Sequence, residues 1–335
     1  MGRLSKIFGL SASFGLFSRA IYRPPKKLRV HPTESLGTPA KIPSTFTIIS
    51  WNIQYCASRS LHFFYDGGPY VHAPQHIVED IMEKIGRKLA QENIDIITLQ
   101  EVDLNSKRTQ GIDQFRGLKK HLRHYSSAFA TYFKAPFVPI PPSNPLGKVH
   151  TDLVTLGNAK IQSAYRHQLA LLKESKIRQS LNLKRAILET QFQTAKGPLF
   201  VANTHLSAFS FQDGTQHEQV QQLQHWINTR PEGSRWIITG DFNLLPLDDN
   251  PERLLSPKQY HHIDHNPLAL LIPKYKHVFV NNEPTYLPYG HSRADRKLDF
   301  IIYSEGLCVE DAKIWDKVHL SDHLPIWAKF SLSDY

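Results

Sequence analysis

The sequence predicts an α/β fold, and three observations carry that expectation. Residues 45–53 (TFTIISWNI) are rich in β-branched and aromatic side chains, which suits a buried strand. Ile77, Ile81, Ile85 and Leu89 recur every four residues, the spacing of an amphipathic helix. Residues 94–99 form a second apolar run. Strand, helix and strand thus follow one another, as in α/β proteins.

Composition bounds the rest. The chain has 335 residues, 41% hydrophobic and 21% charged, enough for one large domain or two ordinary ones. Two cysteines, Cys56 and Cys308, give neither a disulfide framework nor a cysteine-based zinc site. No run reaches the roughly eighteen apolar residues of a membrane-spanning helix. The formal net charge is +10, but residues 1–41 hold eight Lys and Arg against Glu34 alone. The excess belongs mostly to this leader, so the body does not carry a uniformly basic nucleic-acid footprint.

Residues 1–43 stand apart from the domain expected over 44–335. An apolar stretch at 7–17 is flanked by positive residues and is too short to span a bilayer. Behind Arg3 and Lys6 it has the form of a signal-peptide apolar region. It equally has the form of an interfacial segment, with residues 1–30 on an anionic membrane surface and Arg19, Arg23, Lys26 and Lys27 at the head groups. A disordered tail is the third reading. Gly2 invites myristoylation, but Lys6 stands where the motif needs Ser or Thr. Pro24, Pro25, Pro32, Pro39 and Pro43 mark a linker. The compartment stays open between a membrane-associated or exported protein and a cytoplasmic one. No protein partner follows from the sequence.

The body then runs as follows. Residues 55–74, with Tyr65, Asp66, Gly67 and Gly68, have loop composition. The 94–99 strand ends in Gln100-Glu101, a carboxylate at a strand's C-terminal end. Residues 114–124 suit a short basic helix. Residues 132–145 are aromatic and proline-punctuated. We expect a loop folded back onto the core there, the alternative being an exposed loop that touches substrate or lipid. Residues 153–161, 185–192 and 199–204 are expected strands, the last leading into His205. Thr215 to Glu218 has capping-box spacing, ahead of Val220, Leu223 and Ile227 at helical spacing. Residues 236–239 form a strand that stops at Gly240-Asp241-Phe242-Asn243. Residues 298–303 form another, with Asp299 inside, where an unpaired carboxylate is costly. Finally Asp322-His323 stands before the apolar run 324–330. No internal repeat is visible.

Asn52, Glu101, His205, Asp241, Asn243, Asp299, Asp322 and His323 therefore all lie at or near strand ends. Each alone fits a capping Asp, a satisfied amide or a surface His. Their repeated placement argues for convergence on one rim of a sheet core. Acids, amides and histidines without cysteine favour a hard cation, Mg²⁺ or Mn²⁺, over zinc. Such a site can support water attack on phosphorus.

In order, the chain carries Ser-Trp-Asn-Ile-Gln (50–54), Leu-Gln-Glu-Val-Asp (99–103), Gly-Asn-Ala (157–159) and Asn-Thr-His-Leu (203–206). Gly-Asp-Phe-Asn (240–243), Lys-Leu-Asp-Phe-Ile (297–301) and Leu-Ser-Asp-His-Leu-Pro (320–325) follow. This ordered set resembles the deoxyribonuclease I-like endonuclease/exonuclease/phosphatase superfamily, over about residues 45–332. The resemblance implies a four-layer α/β/β/α sandwich of two mostly antiparallel sheets, with the active site at one edge. It implies Glu101 as the main metal ligand, with Asn52 and Asp322 beside the metal. Asp241 would activate or orient the attacking water and Asn243 would steady it. His323 would touch phosphate, oriented by Asp299, with His205 as a second phosphate contact and Arg185 helping to neutralise charge.

Departures narrow the choice. Apurinic endonucleases of the superfamily usually place a tyrosine where this chain has Leu156, and a Tyr-x-Pro-Asn type segment where it has Asn-Thr-His-Leu. The Thr-His-Leu form resembles the deoxyribonuclease I, neutral sphingomyelinase and phosphoinositide phosphatase branches. Three readings follow: a metal-dependent phosphodiesterase acting on a phospholipid head group, the same core acting on DNA or RNA, and a non-catalytic membrane-bound interaction protein.

Overall fold

The computed structural model describes residues 21–35, 37–208, 213–249, 254, 266–279 and 281–333. The apolar stretch 7–17 and its three readings lie outside the described residues. Among those residues no helix is long and apolar enough to cross a membrane.

Two sheets form the body. In spatial order the first holds β1 (Lys27–Val30), β6 (Ile161–Gln168), β7 (Ala186–Thr194), β8 (Gly197–His205), β9 (Arg235–Asp241), β11 (Asp299–Tyr303) and β10 (Lys276–His277). The second holds β12 (Leu307–Ile314), β13 (Ile326–Leu332), β2 (Thr45–Asn52), β3 (Ile96–Asp103), β5 (Gly147–Gly157) and β4 (Ser126–Val138). Among the described residues four α-helices accompany them: α1 (Gln75–Gln91), α2 (Gln114–Lys119), α3 (Lys176–Leu181) and α4 (Thr215–Asn228).

Successive strand residues point to opposite faces, and both faces here are apolar because both are covered. Ile48 and Ile96 face inward and meet Val201, Ile237 and Ile301 of the other sheet. Their neighbours Ile49 and Ile97 face outward and pack under α1, against Val78, Ile81, Ile85 and Leu89. On the far side, Val220, Leu223 and Trp226 of α4 cover Ile187, Ile238 and Phe300. The result is the four-layer α/β/β/α sandwich.

Most strand pairs are antiparallel. Two are parallel, β2 with β3 and β8 with β9. Each needs a crossover helix, α1 in one sheet and α4 in the other. The parallel pairs put the C-terminal ends of four strands on one edge, near Asn52, Glu101, His205 and Asp241. β11 starts from that same edge, with Asp299 opposite Asp241.

Just beneath this edge the core becomes polar. Gln100 Nε2 donates to Asn203 Oδ1 across the sheets at 2.7 Å. Asn203 Nδ2 donates back to the Leu99 and Val154 carbonyls at 3.0 and 2.9 Å. Thr239 Oγ1 donates to Thr98 Oγ1 at 2.9 Å. All four side chains are buried. Each such bond contributes about 1 kcal/mol net, but an unmet partner there costs more, so the set locks one sheet against the other.

Several sequence expectations differ from the structure. Lys27–Val30, read as linker, pairs with β6, and Ile42 is buried between the sheets. Lys27 and Arg29 diluted the strand signal of an edge strand. β12 was missed for the same reason, since Glu310, Asp311 and Lys313 interrupt its apolar alternation. β6 was missed too, with only its first residue, Ile161, falling inside an expected strand. Residues 132–138 belong to the 13-residue strand β4 rather than to a loop. Tyr132, Phe133 and Ala135 are buried, whereas Phe137 and Ile140 are exposed near the β4–β5 hairpin tip. The capping box at Thr215 does not form. Gly214 is the N-cap of α4, and Asp213 Oδ1 accepts from the Thr215 N–H at 2.8 Å.

Candidate active site

Local backbone choices aim the site residues. Beyond β2, Gln54, Tyr55 and Cys56 take φ of 46°, 39° and 53°, a left-handed turn unusual for non-glycine residues. The Gln54 N–H bonds Asn52 Oδ1 at 3.0 Å. That fixes the amide so its Nδ2 donates to Asp241 Oδ2 at 3.1 Å and to Glu101 Oε1 at 3.3 Å. Glu101 itself sits where the β3–β5 register shifts between Leu99 and Val102, with φ 60°. This bulge turns its carboxylate to the rim while Gln100 stays between the sheets.

Gly240 is required where it stands. Its φ is 145°, and a Cβ there would lie 1.9 Å from the Thr204 carbonyl oxygen of the parallel strand. The close approach puts His205 level with Asp241. Asp241 Oδ1 accepts from the Asn243 N–H at 2.9 Å, and Asn243 Nδ2 donates to the Leu206 carbonyl at 3.2 Å. Asn243 thus braces Asp241 through its backbone.

The other oxygen, Asp241 Oδ2, is the centre of the cluster. Besides Asn52 it meets His205 Nε2 at 3.2 Å and His323 Nε2 at 3.6 Å. The opposite ring nitrogen, His323 Nδ1, lies 2.8 Å from Asp299 Oδ2. Trp51 Nε1 donates to the His323 carbonyl at 3.0 Å. The His323 N–H and the Asn52 carbonyl both bond Ser321 Oγ, at 3.2 and 2.7 Å.

Asn52, His205 and His323, from three distant stretches of the chain, therefore meet on one carboxylate. The sequence of residues 49–323 matches the profile described as "Endonuclease/Exonuclease/phosphatase family". The chain belongs to this family. Family members hydrolyse phosphoester bonds.

Solved structures share the family fold. An endonuclease/exonuclease/phosphatase from Beutenbergia cavernae aligns with TM-score 0.62 and 17% identity, over 86% of this chain and 72% of that one. D. rerio TDP2 complexed with single strand DNA product aligns with TM-score 0.54 and 16% identity, over 86% and 99%. The human Nocturnin catalytic domain with bound sulfate aligns with TM-score 0.53 and 20% identity, over 91% and 98%. Among curated protein sequences nothing matches.

Electrostatics separate the family site's groups. Burial works against a charge on His323, but Asp299 and Asp241 outweigh it and hold the ring pKa well above its usual value. Burial, then the Arg185 and His323 charges, hold His205 well below. Burial also pushes Asp241 up to about 6, against the His323 charge. It pushes Asp322 up to about 7, with the Glu101 charge adding to the effect.

Not every expected residue joins the cluster directly. Arg185 stacks over Tyr132 at 5.1 Å, and the Tyr132 ring lies 5.8 Å from that of His205. Arg185 is buried, and its Nε and Nη1 have no hydrogen-bond partner among the described residues. Asp322 connects through Ser321 Oγ, 3.2 Å from its Oδ1.

The donor set fits a hard cation. Crowding by the Glu101 charge helps to raise Asp322, and a cation between acids relieves such crowding. Donor atoms of Asp241, Asp299 and His323 lie within 4.8 Å of one another. His323, however, already spends Nδ1 on Asp299, and its raised pKa keeps both ring nitrogens protonated. A protonated imidazole cannot ligate, so the carboxylates of Glu101 and Asp322 are the better donors, whereas Asn52 has its Oδ1 on the Gln54 N–H and turns Nδ2 to Glu101.

Sequence reading missed Thr285 and Ser321. Thr285 Oγ1 donates to Asp299 Oδ2 at 2.6 Å. It lies among Pro284, Pro288 and Gly290, in a stretch without periodicity, so no pattern marked it. Ser321 stood inside a quoted motif, but only the fold shows it linking β2 to the Asp322-His323 pair.

Proposed function

We propose that this chain is a divalent-metal-dependent phosphodiesterase that acts by water attack on phosphorus. The observation that carries the reading is the convergence of Asn52, His205 and His323 on a single oxygen, Asp241 Oδ2. Glu101 and Asp322, with Asn52 beside them, would hold Mg²⁺ or Mn²⁺, which supplies charge to the phosphate oxygens when bound. Asp241 orients the water and takes its proton, with its second oxygen held by the Asn243 N–H. His323, kept cationic by Asp299, presents Nε2–H to a phosphate oxygen as negative charge builds. His205, neutral, offers a hydrogen bond without charge. Arg185 adds positive charge from behind Tyr132.

A phospholipid head group is the preferred substrate. Phe137, Ile140 and Ile177 are 46%, 58% and 79% exposed. They sit on the β4–β5 hairpin and the β6–β7 connection, both of which leave the catalytic edge. Exposed Tyr70, Leu247 and Tyr289 lie on other connections of that edge. Apolar side chains gathered around a catalytic mouth favour contact with lipid over contact with water. A nuclease is the second reading, favoured by the likeness to TDP2 solved with a DNA product.

A substrate panel tests this: bis(p-nitrophenyl) phosphate, sphingomyelin and phosphoinositide vesicles, plasmid and RNA, each with Mg²⁺, with Mn²⁺ and with chelator. Vesicle lipids should be hydrolysed with metal and spared with chelator. Cleavage of nucleic acid alone overturns the lipid assignment. Failure on every substrate overturns the hydrolase itself and leaves the non-catalytic reading.

A further inference from the structure

A cavity of about 670 Å³ opens at the catalytic edge of the first sheet, on the far side of β7 from His205. Arg23, Lys26, Lys176 and Lys184 line it, with Pro24, Leu169 and Leu171 as apolar walls. No Asp or Glu among the described residues lines it.

The buried charges around it end on neutral oxygens. Lys184 is 5% exposed and spends its ammonium on the carbonyls of Gln179, Ser180 and Asn182, at 3.1, 3.1 and 3.0 Å. Arg166, 1% exposed, donates to the carbonyls of Thr131 and Lys184 and to Gln168 Oε1, each at 2.8 Å. Its Nη1 has no hydrogen-bond partner among the described residues. Asp152 acts on Arg166 from the β5 side without a hydrogen bond between them. Burial, followed by the Arg166 and Arg23 charges, pushes Lys184 down to about 8. Like charges crowded at low dielectric are costly, and a bound anion relieves them.

Hydrogen bonds join the cavity wall to the strand beside the active site. The Arg185 carbonyl accepts from Leu169 N–H and Gln168 Nε2, both at 2.9 Å, so the cavity wall is tied to the residue whose ring partner, Tyr132, adjoins His205. β7 separates β8 from β6, and two strand spacings come to about 10 Å.

We propose that this cavity is a second anion subsite, taking a further phosphate of the substrate two strand spacings, about 10 Å, from the strand that carries His205. The proposal rests on the phosphodiesterase reading above. The substrate class is then a phosphodiester bearing a second phosphate, joined by a ring or carbon chain that lies on Pro24 and Leu171. A nucleotide and a phosphorylated polyol head group share that chemistry.

The test is calorimetric binding with two pairs of soluble probes. One pair is thymidylyl-(3′→5′)-thymidine and its 5′-phosphate. The other is glycerophosphoinositol and its 4-phosphate. In at least one pair the doubly phosphorylated member should bind tenfold tighter or more, and the pair that responds names the source. Lys176→Glu and Arg23→Glu, both at exposed positions, should erase the preference. Lys120→Glu, the same charge change at the far edge of the fold, should keep it. Equal affinity within both pairs, or a preference that survives both cavity substitutions, overturns the subsite. If the preference holds but no phosphodiester is hydrolysed with any metal, the phosphodiesterase reading fails and the subsite stands.

Discussion

His205 and His323 approach the same oxygen of Asp241, at 3.2 and 3.6 Å, yet their rings are driven in opposite directions. Both are buried, which opposes charge on each. His323 has a second carboxylate, Asp299, on its other nitrogen. His205 instead faces Arg185 and the charge on His323. One site therefore holds a cationic and a neutral imidazole side by side, an arrangement suited to separating charge stabilisation from hydrogen bonding.

Asp299→Asn should remove that asymmetry. Without the Asp299 charge, the His323 ring pKa should fall, visible as a downward move of its NMR titration. Turnover of a soluble phosphodiester should fall on the order of 10²-fold. A loss of tenfold or less with an unmoved titration would make Asp299 a packing residue. Thr285→Val should give a smaller loss in the same direction, because it removes the 2.6 Å bond to Asp299 Oδ2.

Glu101→Gln should abolish metal-dependent turnover and leave the thermal midpoint within a few degrees of the parent. The carboxylate sits on a rim bulge with its side chain 22% exposed, so the core does not depend on it. Undiminished activity with added Mg²⁺ would remove Glu101 from the site.

Gly240→Ala should destabilise the fold by on the order of 3 kcal/mol, read by denaturant unfolding. The added Cβ would fall 1.9 Å from the Thr204 oxygen at a backbone angle that side chains avoid. β8 and β9 must part, which separates His205 from Asp241, so residual activity should fall further than stability alone explains. A neutral outcome would mean that the two strands do not approach so closely.

Glu189 should make stability depend on acid. Its carboxylate accepts from Trp226 Nε1 at 2.7 Å and pairs with His167 and Arg230 at 2.8 and 3.0 Å, tying α4 to β7. Burial opposes the charge, but these partners win and lower its pKa from 4.5 to about 2. A depressed carboxylate stabilises fully above its unfolded value, and that contribution disappears as pH drops from 4.5 towards 2. It amounts to on the order of 3 kcal/mol. Urea unfolding across that window should show a shallower pH slope in Glu189→Gln than in the parent chain, and equal slopes would place the charge outside the network.

Much of this was legible in the residues. Ile77, Ile81, Ile85 and Leu89 face one way on any helix, so α1 and its buried side followed from spacing. Apolar runs that stop at Asn52, Glu101, His205 and Asp241 placed polar groups at strand ends, because a strand interior does not accept them unpaired. The edge strands β1 and β12 escaped notice because an edge half in water needs no apolar alternation.

What the sequence alone determined is the chemistry available: which acids, amides and imidazoles exist, and that they close successive strands. Hydrophobic runs are local, and local patterns can be read one segment at a time. What only the tertiary structure decided is which groups meet. The bond from Gln100 to Asn203, the hydroxyl of Thr285 behind Asp299 and the opposite charges of His205 and His323 depend on residues up to a hundred or more positions apart in the chain. Charge state belongs to a neighbourhood, and the neighbourhood exists only once two sheets have closed on one another.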